Sequence, residues 1–403
     1  MKFAISLLGA KIEIVSKLFL YFPAIIFFIF FFNTGEAQTN ISVLGEVVSK
    51  DDTCQKIDKY LTTLSKEKSL SGGLLIIKDG KKIFSKGYGF ADKDKNIAFT
   101  SSTLVSMGSI TKLFTATAIM KLYEHGKLSL TDNLKKYFPF ITKDKEDITI
   151  HQLLTHSSGI NDFAVDERGD YQKINATEFL TKTFHQPLFS APGTKGVYTN
   201  VGMSILAMIV EKASGMDYEQ FLRKELFLPL GIKHIGYQYP QEDSVVIAHA
   251  YKNETDWGTD QTYYKKAGGG PFWNMKGSSG LEASLEEMCL WENSFTNATL
   301  LHDSTIRKMF TPYIVEKESK GLSFFGYGCD IETSRRKTKV IDNGGGNGIY
   351  FARLVRYEDE GLVFYLVTNE SSVPAEKLLP NVTQLYFNGK FLEDSFLKEE
   401  KKK

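Results

Sequence analysis

The 403-residue sequence is poor in cysteine and nearly balanced in charge, and both features exclude classes of function. Three cysteines (Cys54, Cys289 and Cys329) permit at most one disulfide. Because none of them forms a Cys-x-x-Cys pair, the sequence argues against a structural zinc site. The 49 basic and 48 acidic residues leave a formal charge of +1, without the basic excess of a general nucleic-acid-binding protein. With 42% hydrophobic and 24% charged residues, the composition is that of a globular chain rather than a disordered one.

Several catalytic motifs are also missing. The Gly-x-Ser-x-Gly elbow of α/β-hydrolases is absent, since residues 202–206 fail at the last position. The histidines form no His-x-His or His-Glu-x-x-His motif, and His151 and His156 are too far apart to share one helical face. A Walker-type phosphate loop is not found either. We therefore expect neither a metal ion nor a cofactor.

The N-terminal segment has the pattern of an exported protein. Three lysines among the first 17 residues precede an unbroken apolar run over residues 18–32, and small residues follow. The run is shorter than the roughly 20 residues that a membrane-spanning helix needs. We predict that residues 1–37 are a signal peptide cleaved before Gln38 and that the protein is periplasmic or extracellular. An uncleaved membrane anchor is the alternative, and it would be the protein's only contact with the membrane.

Strand patterns occur near both ends of the chain. Residues 72–78 are apolar enough for a buried strand, Asp79-Gly80 is a favoured two-residue turn, and residues 81–88 supply the partner strand. Residues 349–355 and 361–367 form a second pair, joined by the charged turn Arg356–Glu360. Each pair predicts an antiparallel hairpin.

The middle of the chain has helical spacing instead. We predict an α+β fold in which an antiparallel sheet, built from N- and C-terminal segments, has flanking helices and a large, mostly helical inserted lobe. One domain would cover residues 38–397. Its sheet lobe would comprise about 45–108 and 320–395, and its helical lobe about 109–319. A charged, solvated tail would follow at 398–403.

The pattern Ser-x-x-Lys occurs four times, but only one copy lies in a catalytic context. The four serines are Ser65, Ser109, Ser334 and Ser395. Ser109 begins an apolar helical stretch, where spacing of three residues places it and Lys112 on one face near a positive helix N-terminus. This is the arrangement of an activated serine nucleophile. The alternative is that Ser109 caps the helix and Lys112 lies on the surface.

A second candidate element is Tyr198-Thr199-Asn200, which follows a Pro-Gly turn and precedes a helical stretch. A tyrosine held there can shuttle protons if a cation lowers its pKa. Asn200 can orient a substrate carbonyl or a lysine, or it can cap the helix.

A third element is the glycine-rich stretch 342–348, directly before the strand at 349–355. Glycines beside a strand allow another backbone or a ligand to approach closely. A backbone N–H from this stretch, opposite that of Ser109, can complete an oxyanion hole. The alternative is a glycine-rich bulge or loop without a catalytic role.

Together these elements resemble the β-lactamase-like serine hydrolases, a family that includes class C β-lactamases, D-alanyl-D-alanine carboxypeptidases and related esterases. The resemblance extends from about residue 60 to 390, with further matching segments at 126–139, 153–160 and 228–232. It implies that Ser109 is the acylated nucleophile, that Lys112 is its proton acceptor or electrostatic partner, and that Tyr198 is the second acid/base group.

The resemblance also implies which residues hold the substrate: Asn200, Asn343, Gly345 and Gly346. The N–H groups of Ser109 and Gly346 would form the oxyanion hole. Family members usually have lysine or histidine where this chain has Asn343. That difference implies weaker recognition of a substrate carboxylate, and uncharged aryl esters should be better substrates than penicillins or cephalosporins.

We therefore expect an exported serine hydrolase that cleaves an ester, amide or peptide bond in a small-molecule or peptide substrate through an acyl-enzyme, with no nucleic-acid partner. The first alternative is a catalytically weak or inactive β-lactam- or peptidoglycan-binding protein on the same fold. The second is a structural cell-envelope protein anchored by residues 18–32. The oligomeric state is open.

Overall fold

The described part of this computed structural model comprises residues 45–162, 172–237, 245–252 and 255–390. Its strands are β1 (Val47–Val48), β2 (Gly72–Lys78), β3 (Lys81–Tyr88), β4 (Phe90–Asp92), β5 (Ile97–Ala98), β6 (Val105–Ser106), β7 (Ala250–Lys252), β8 (Thr255–Gly258), β9 (Glu282–Ala283), β10 (Ile314–Val315), β11 (Ser323–Phe325), β12 (Asp330–Thr333), β13 (Lys339–Gly346), β14 (Phe351–Tyr357) and β15 (Leu362–Thr368). Its α-helices are α1 (Asp52–Glu67), α2 (Thr111–Glu124), α3 (Leu134–Tyr137), α4 (Ile150–Leu154), α5 (Ala176–His185), α6 (Asn200–Ser214), α7 (Tyr218–Phe221), α8 (Asp260–Lys266), α9 (Leu285–Thr296), α10 (Asp303–Met309) and α11 (Ala375–Asn388). The predicted signal peptide and charged tail lie outside these residues.

Strands from both ends of the chain form one nine-stranded antiparallel sheet. Its order is β1-β3-β2-β15-β14-β13-β12-β11-β10. The two ends of the chain meet where β2 pairs with β15, with Gly72 opposite Thr368 and Lys78 opposite Leu362. Helices flank the sheet, and a mostly helical segment lies between its N- and C-terminal strands. The predicted α+β architecture is confirmed.

Both faces of the sheet are covered, which explains the unbroken apolar sequence of β2. Leu74 and Ile76 pack on one face with α1 and α11. Leu75 and Ile77 point to the other face and belong to the core that contains α2 and α6. Because successive residues of a strand point to opposite faces, a strand buried on both sides lacks a polar side.

The position of the turn was predicted correctly in the first hairpin but not in the second. Asp79 and Gly80 have φ values of 49° and 72°, as the predicted two-residue turn requires. In the second hairpin, β14 continues to Tyr357, so the prediction of a turn beginning at Arg356 was wrong. The Arg356 guanidinium is buried against Glu292, with Nη2 2.7 Å from Oε1. This partner, distant in the sequence, allows the charge to lie inside a strand.

The helical segment has α2 at its centre, and α2 is buried along most of its circumference. A helix that is apolar on all sides belongs in a core, and α6 packs against it there. The segment also contains the β7–β8 hairpin, which we did not predict. Strands of three and four residues are too short to show a clear alternation of polar and apolar side chains.

The three cysteines, Cys54, Cys289 and Cys329, are free and buried. Burial raises the pKa of the Cys289 thiol to about 11. Thiols in such surroundings behave as small apolar side chains. Among the described helices, none has the combination of length and apolar character needed to cross a membrane.

Candidate active site

Ser109 lies in a single 3-10 turn, Gly108–Ile110, that leads directly into α2. Its hydroxyl oxygen is 3.0 Å from Lys112 Nζ and 2.7 Å from the Tyr198 hydroxyl. Neither the turn nor α2 has a side-chain N-cap, so the alternative that Ser109 caps the helix is wrong. The side chain points instead towards two groups that can exchange protons with it.

Lys112 is 3% exposed, which excludes the alternative of a surface lysine. Besides Ser109, its Nζ lies 2.7 Å from Asn200 Oδ1 and 2.7 Å from the backbone carbonyl oxygen of Ser278. It also lies 4.6 Å from the centre of the Tyr198 ring. The amine is therefore held by two carbonyl oxygens in addition to its contact with the nucleophile.

Tyr198 reaches the site from the loop before α6. Its ring is partly open to solvent, with the residue 43% exposed, while its hydroxyl end lies at the Ser109 contact. Burial raises the pKa of Tyr198, and the negative charges of Asp330 and Asp162 act in the same direction, while the hydrogen bond to Ser109 opposes them. We expected a cation to lower this pKa, and the direction found is the opposite, so any proton relay through Tyr198 requires the neutral phenol to donate one proton as it accepts another. Tyr198 is a neutral hydrogen-bond donor in this site.

His156 supports the Tyr198 ring. The two rings stack with centroids 4.9 Å apart. The Thr199 backbone N–H donates to His156 Nδ1 across 3.2 Å, so that nitrogen carries no proton. Burial, with the nearby Lys112 charge, lowers the pKa of His156 to about 3. A neutral imidazole thus backs the tyrosine throughout the neutral pH range.

Asp162 fixes the start of α6. Its carboxylate accepts from the backbone N–H groups of Asn200 (3.0 Å) and Val201 (2.9 Å) and from the Thr199 hydroxyl. Thr199 rather than Asn200 is the N-cap, so the capping alternative for Asn200 is wrong. An acidic side chain is favourable at a helix N-terminus, where backbone N–H groups lack partners. The Asn200 side chain is left to bind Lys112.

The other side of the site is formed by β13, whose glycines touch the Ser109 turn. Gly108 has φ of 54°, and a Cβ on it would lie 2.4 Å from the Gly346 backbone nitrogen. A Cβ on Gly345 would lie 2.0 Å from the Met107 carbonyl oxygen and 3.0 Å from the Ser109 nitrogen. Only glycines permit this approach. As a result, the amide nitrogens of Ser109 and Gly346 both lie where the Ser109 turn meets β13.

Asn343 is buried in β13, 6% exposed. Its Nδ2 donates to the Gly328 carbonyl oxygen across 2.7 Å, which identifies the nitrogen side of the amide. Its Oδ1 is buried, and no described residue donates a hydrogen bond to it. One of the two Nδ2 N–H groups is therefore used inside the protein, and the amide oxygen is left as an unsatisfied acceptor.

Asp330, the first residue of β12, is an acidic group that we did not predict. It lies opposite Asp342 in the sheet. Burial raises the pKa of Asp330 to about 7, and Glu316, Asp342 and Glu332 add to the rise, while Lys112 opposes it. No motif signals this residue, because its position depends on strand pairing across the sheet.

The functional side chains surround one cavity of about 30 Å³. It is lined by Ser109, Lys112, His156, Tyr198, Gly328, Cys329, Asp330, Asn343 and Gly344. A separate cavity of about 390 Å³ between β12–β14 and α11 shares none of these residues. In the described ranges, no group of three or more His, Cys, Asp or Glu side chains is arranged to hold a metal ion. The available chemistry is that of a serine, an amine and a phenol.

Comparison with known proteins relates this chain to one family. The model of the Beta-lactamase family matches residues 57–386. PbpX of Bacillus subtilis (strain 168) is 30% identical over 267 residues, covering 66% of this chain and 64% of that protein. Protein flp of Staphylococcus aureus (strain N315) is 30% identical over 208 residues, covering 50% of this chain and 42% of that protein. The chain thus spans less than two thirds of the length of these relatives.

Solved structures share the fold. The octameric penicillin-binding protein homologue from Pyrococcus abyssi has a TM-score of 0.72 and 26% identity, covering 82% of this chain and 76% of that chain. The penicillin binding protein from Bacillus halodurans has a TM-score of 0.68 and 25% identity, covering 81% and 99%. A beta-lactamase/D-alanine carboxypeptidase from Pseudomonas syringae, 17% identical, is similar in fold alone, with a TM-score of 0.70 and coverage of 83% and 98%. Since the family model matches most of its length, this chain belongs to the beta-lactamase family.

Proposed function

We propose that the protein is an exported serine hydrolase that cleaves an ester, amide or peptide bond through an acyl-enzyme on Ser109. One observation carries the proposal: the Ser109 hydroxyl lies between Lys112 Nζ, at 3.0 Å, and the Tyr198 hydroxyl, at 2.7 Å. A serine in contact with a base and a second proton-transfer group is the requirement for nucleophilic catalysis. Membership of a family of serine hydrolases supports the same function.

The contacts of Lys112 suggest how the serine is activated. A protonated amine has three N–H donors, one for each of its three oxygen neighbours, Ser109, Asn200 and Ser278. A neutral amine keeps two donors, which the Asn200 and Ser278 oxygens accept, and its lone pair then faces Ser109. In that form Lys112 takes the hydroxyl proton while Oγ bonds to the substrate carbonyl carbon. Tyr198 remains neutral and donates, consistent with its raised pKa.

The remaining steps use the same groups. The negative oxygen of the tetrahedral intermediate accepts from the N–H groups of Ser109 and Gly346. Tyr198 gives its proton to the leaving oxygen or nitrogen as the scissile bond breaks, and Lys112 returns a proton to Tyr198. In deacylation, water gives a proton to Lys112 through Tyr198 and adds to the acyl carbon. Release of the acid returns the proton to Ser109.

Covalent labelling tests the nucleophile. A neutral fluorophosphonate should label wild-type protein at Ser109, as read by mass spectrometry of its peptides, and Ser109→Ala should abolish labelling. Ser65→Ala is the matched control, because Ser65 also begins a Ser-x-x-Lys sequence but lies on α1. Labelling that persists in Ser109→Ala, or that occurs at another serine, would contradict the proposal.

Turnover distinguishes a hydrolase from a binding protein. With an aryl ester, a hydrolase releases many equivalents of phenol per protein, whereas a binding protein releases at most one and stays acylated at Ser109. The export part of the proposal is supported by the N-terminal sequence pattern alone. N-terminal sequencing of the exported protein should give Gln38.

A further inference from the structure

The acidic group in the cavity has no cation of its own. Asp330 lines the same cavity as Ser109, Lys112 and Tyr198. Its carboxyl forms no hydrogen bond or ion pair with any residue in the described part of the chain. Lys112 acts on it electrostatically, but that amine is already bound to Ser109, Asn200 and Ser278.

The neighbouring Asp342, in contrast to Asp330, is a carboxylate with a bound cation. Asp342, opposite Asp330, binds Arg353 through two hydrogen bonds, 3.1 Å from Nε and 2.5 Å from Nη2. Bidentate contacts of this kind are the strong ones between charged groups. Asp330 and Asp342 lie opposite each other on neighbouring strands. Of the two, only Asp342, which does not line the cavity, binds an arginine.

The surroundings of Asp330 are electronegative. Glu316, Glu332 and Asp342 all raise its pKa, which burial brings to about 7, and Lys112 opposes them. Asn343, in the wall of the same cavity, adds the unpartnered acceptor Oδ1. A buried acceptor without a donor is costly, and a partly buried carboxylate without a cation is destabilised as well. Asn343 Oδ1 and the Asp330 carboxyl are therefore two acceptors to which no described residue donates a hydrogen bond.

We infer that Asp330 is a specificity-determining residue, and that the protein acts on esters or amides whose acyl group carries a primary ammonium close to the scissile carbonyl. The inference rests on the proposed function and names its substrate class. The ammonium donates to the Asp330 carboxylate and supplies the ion-pair partner that this carboxylate lacks among the described residues. A substrate carboxylate in the same place is repelled by Asp330. The small volume of the cavity restricts the charged group to a compact one.

Three methyl esters of nearly equal size test this charge preference. Alanine methyl ester has an ammonium on the α-carbon, methyl isobutyrate has a methyl group there, and monomethyl methylmalonate has a carboxylate. Acid formation is measured by chromatography at one pH for wild type and for Asp330→Asn. Wild type should favour the alanine ester over the isobutyrate by tenfold or more in kcat/KM and should use the methylmalonate least. In Asp330→Asn the ratio of the first two rates should fall close to one.

Two further variants serve as controls for the role of the Asp330 charge. Glu332→Gln removes an acid from the same strand that does not line the cavity, and it should keep the alanine preference. Asp330→Lys should reverse the order and favour the methylmalonate. Because each result is a ratio of substrates within one variant, partial loss of folded protein does not change it.

The outcomes separate this inference from the proposed function. Equal rates for the alanine and isobutyrate esters in wild type, or an alanine preference that survives in Asp330→Asn, would overturn the role of Asp330. Fluorophosphonate labelling of Ser109 without turnover of the alanine ester would also overturn it. Absence of labelling at Ser109 would instead overturn the proposed function.

Discussion

The two sides of the Ser109 cavity differ in how completely their polar groups are paired. On the helical side, Lys112, Asn200 and Tyr198 form a connected set of hydrogen bonds. On the strand side, Asn343 leaves an acceptor without a donor, and Asp330 has no ion pair among the described residues. The helical side is complete before a substrate arrives, whereas the strand side requires donors from outside.

This contrast indicates a division of labour. Groups that move protons must already be positioned, because reorganising them during the reaction would add to the barrier. Groups that select a substrate gain discrimination when they are satisfied only by the right ligand, since a wrong ligand leaves buried polar atoms unpaired. Changes on the helical side should therefore reduce the rate with every substrate. Changes on the strand side should alter the choice between substrates.

The largest effect should come from removing the base. Lys112→Ala should slow acylation of Ser109 by about 10²–10⁴-fold, the usual contribution of a general base. The measurement is the rate of labelling by a neutral fluorophosphonate. Lys121→Ala, a change on the same helix, should have little effect because Lys121 binds the Leu300 carbonyl oxygen away from the cavity. Full activity of folded Lys112→Ala would show that the helical side is not the catalytic one.

A smaller effect is expected at Asn343. Asn343 is uncharged and one of its two N–H groups is bound to Gly328, so it offers a substrate carboxylate no charge-assisted hydrogen bond. A missing bond of this kind, roughly 1.5–3 kcal/mol, corresponds to about 10–100-fold in kcat/KM. Wild type should therefore hydrolyse uncharged aryl esters better than penicillins or cephalosporins by such a factor. Asn343→His should narrow the gap. Cephalosporin hydrolysis by wild type as fast as ester hydrolysis, without improvement in the variant, would contradict this account.

A third effect concerns stability and pH rather than rate. Burial raises the pKa of Asp330 to about 7 from 3.8, so the folded state holds this proton more tightly than the unfolded state. Stability that is present below pH 4 is then lost as pH rises to about 7. Asp330→Asn removes the titration, and its free energy of unfolding should rise relative to wild type over this range by on the order of 2–4 kcal/mol. Urea unfolding at several pH values measures the difference.

Asp132 supplies a control of opposite sign. Hydrogen bonds from Lys136, Tyr137 and the Ser129 backbone outweigh the effect of burial and lower the pKa of Asp132. Stability from this group is present above the unfolded pKa and is lost as pH falls. Asp132→Asn should therefore lose stability relative to wild type as pH rises through the acidic range. The same trend in both variants would mean that the two carboxyl groups are not held as described.

Local relations along the chain account for what the sequence could predict. Ser109 and Lys112 are neighbours on one turn, and the Asp79-Gly80 hairpin needs no distant partner. Tyr198 and Asn200 were predicted from the order of motifs and the family resemblance, and the structure brings both to Lys112. For Ser109 and Lys112, spacing alone predicted the contact correctly, but it did not predict that Lys112 is buried.

Relations between distant segments were not predictable. The Ser278 carbonyl that holds Lys112 is a backbone atom, which no residue pattern reveals. His156 and Asp162 act through contacts with the loop before α6 and with its first residues. Arg356 was assigned to a turn because the buried Glu292 that pairs with it lies on another element. In each case the deciding information is which surfaces meet after folding.

The position of β15 determines when this protein can finish folding. β15 lies between β2 and β14, yet its residues follow the entire helical segment in the chain. While the chain is being synthesised, β2 can pair with β3, but its other edge has no partner until β15 is made. Contacts between such distant segments form slowly because a long loop must close first. A chain that stops before residue 362 leaves the edges of β2 and β14 open, and open strand edges invite pairing with other chains. Loss of the C-terminal end should therefore yield aggregated protein rather than a smaller enzyme.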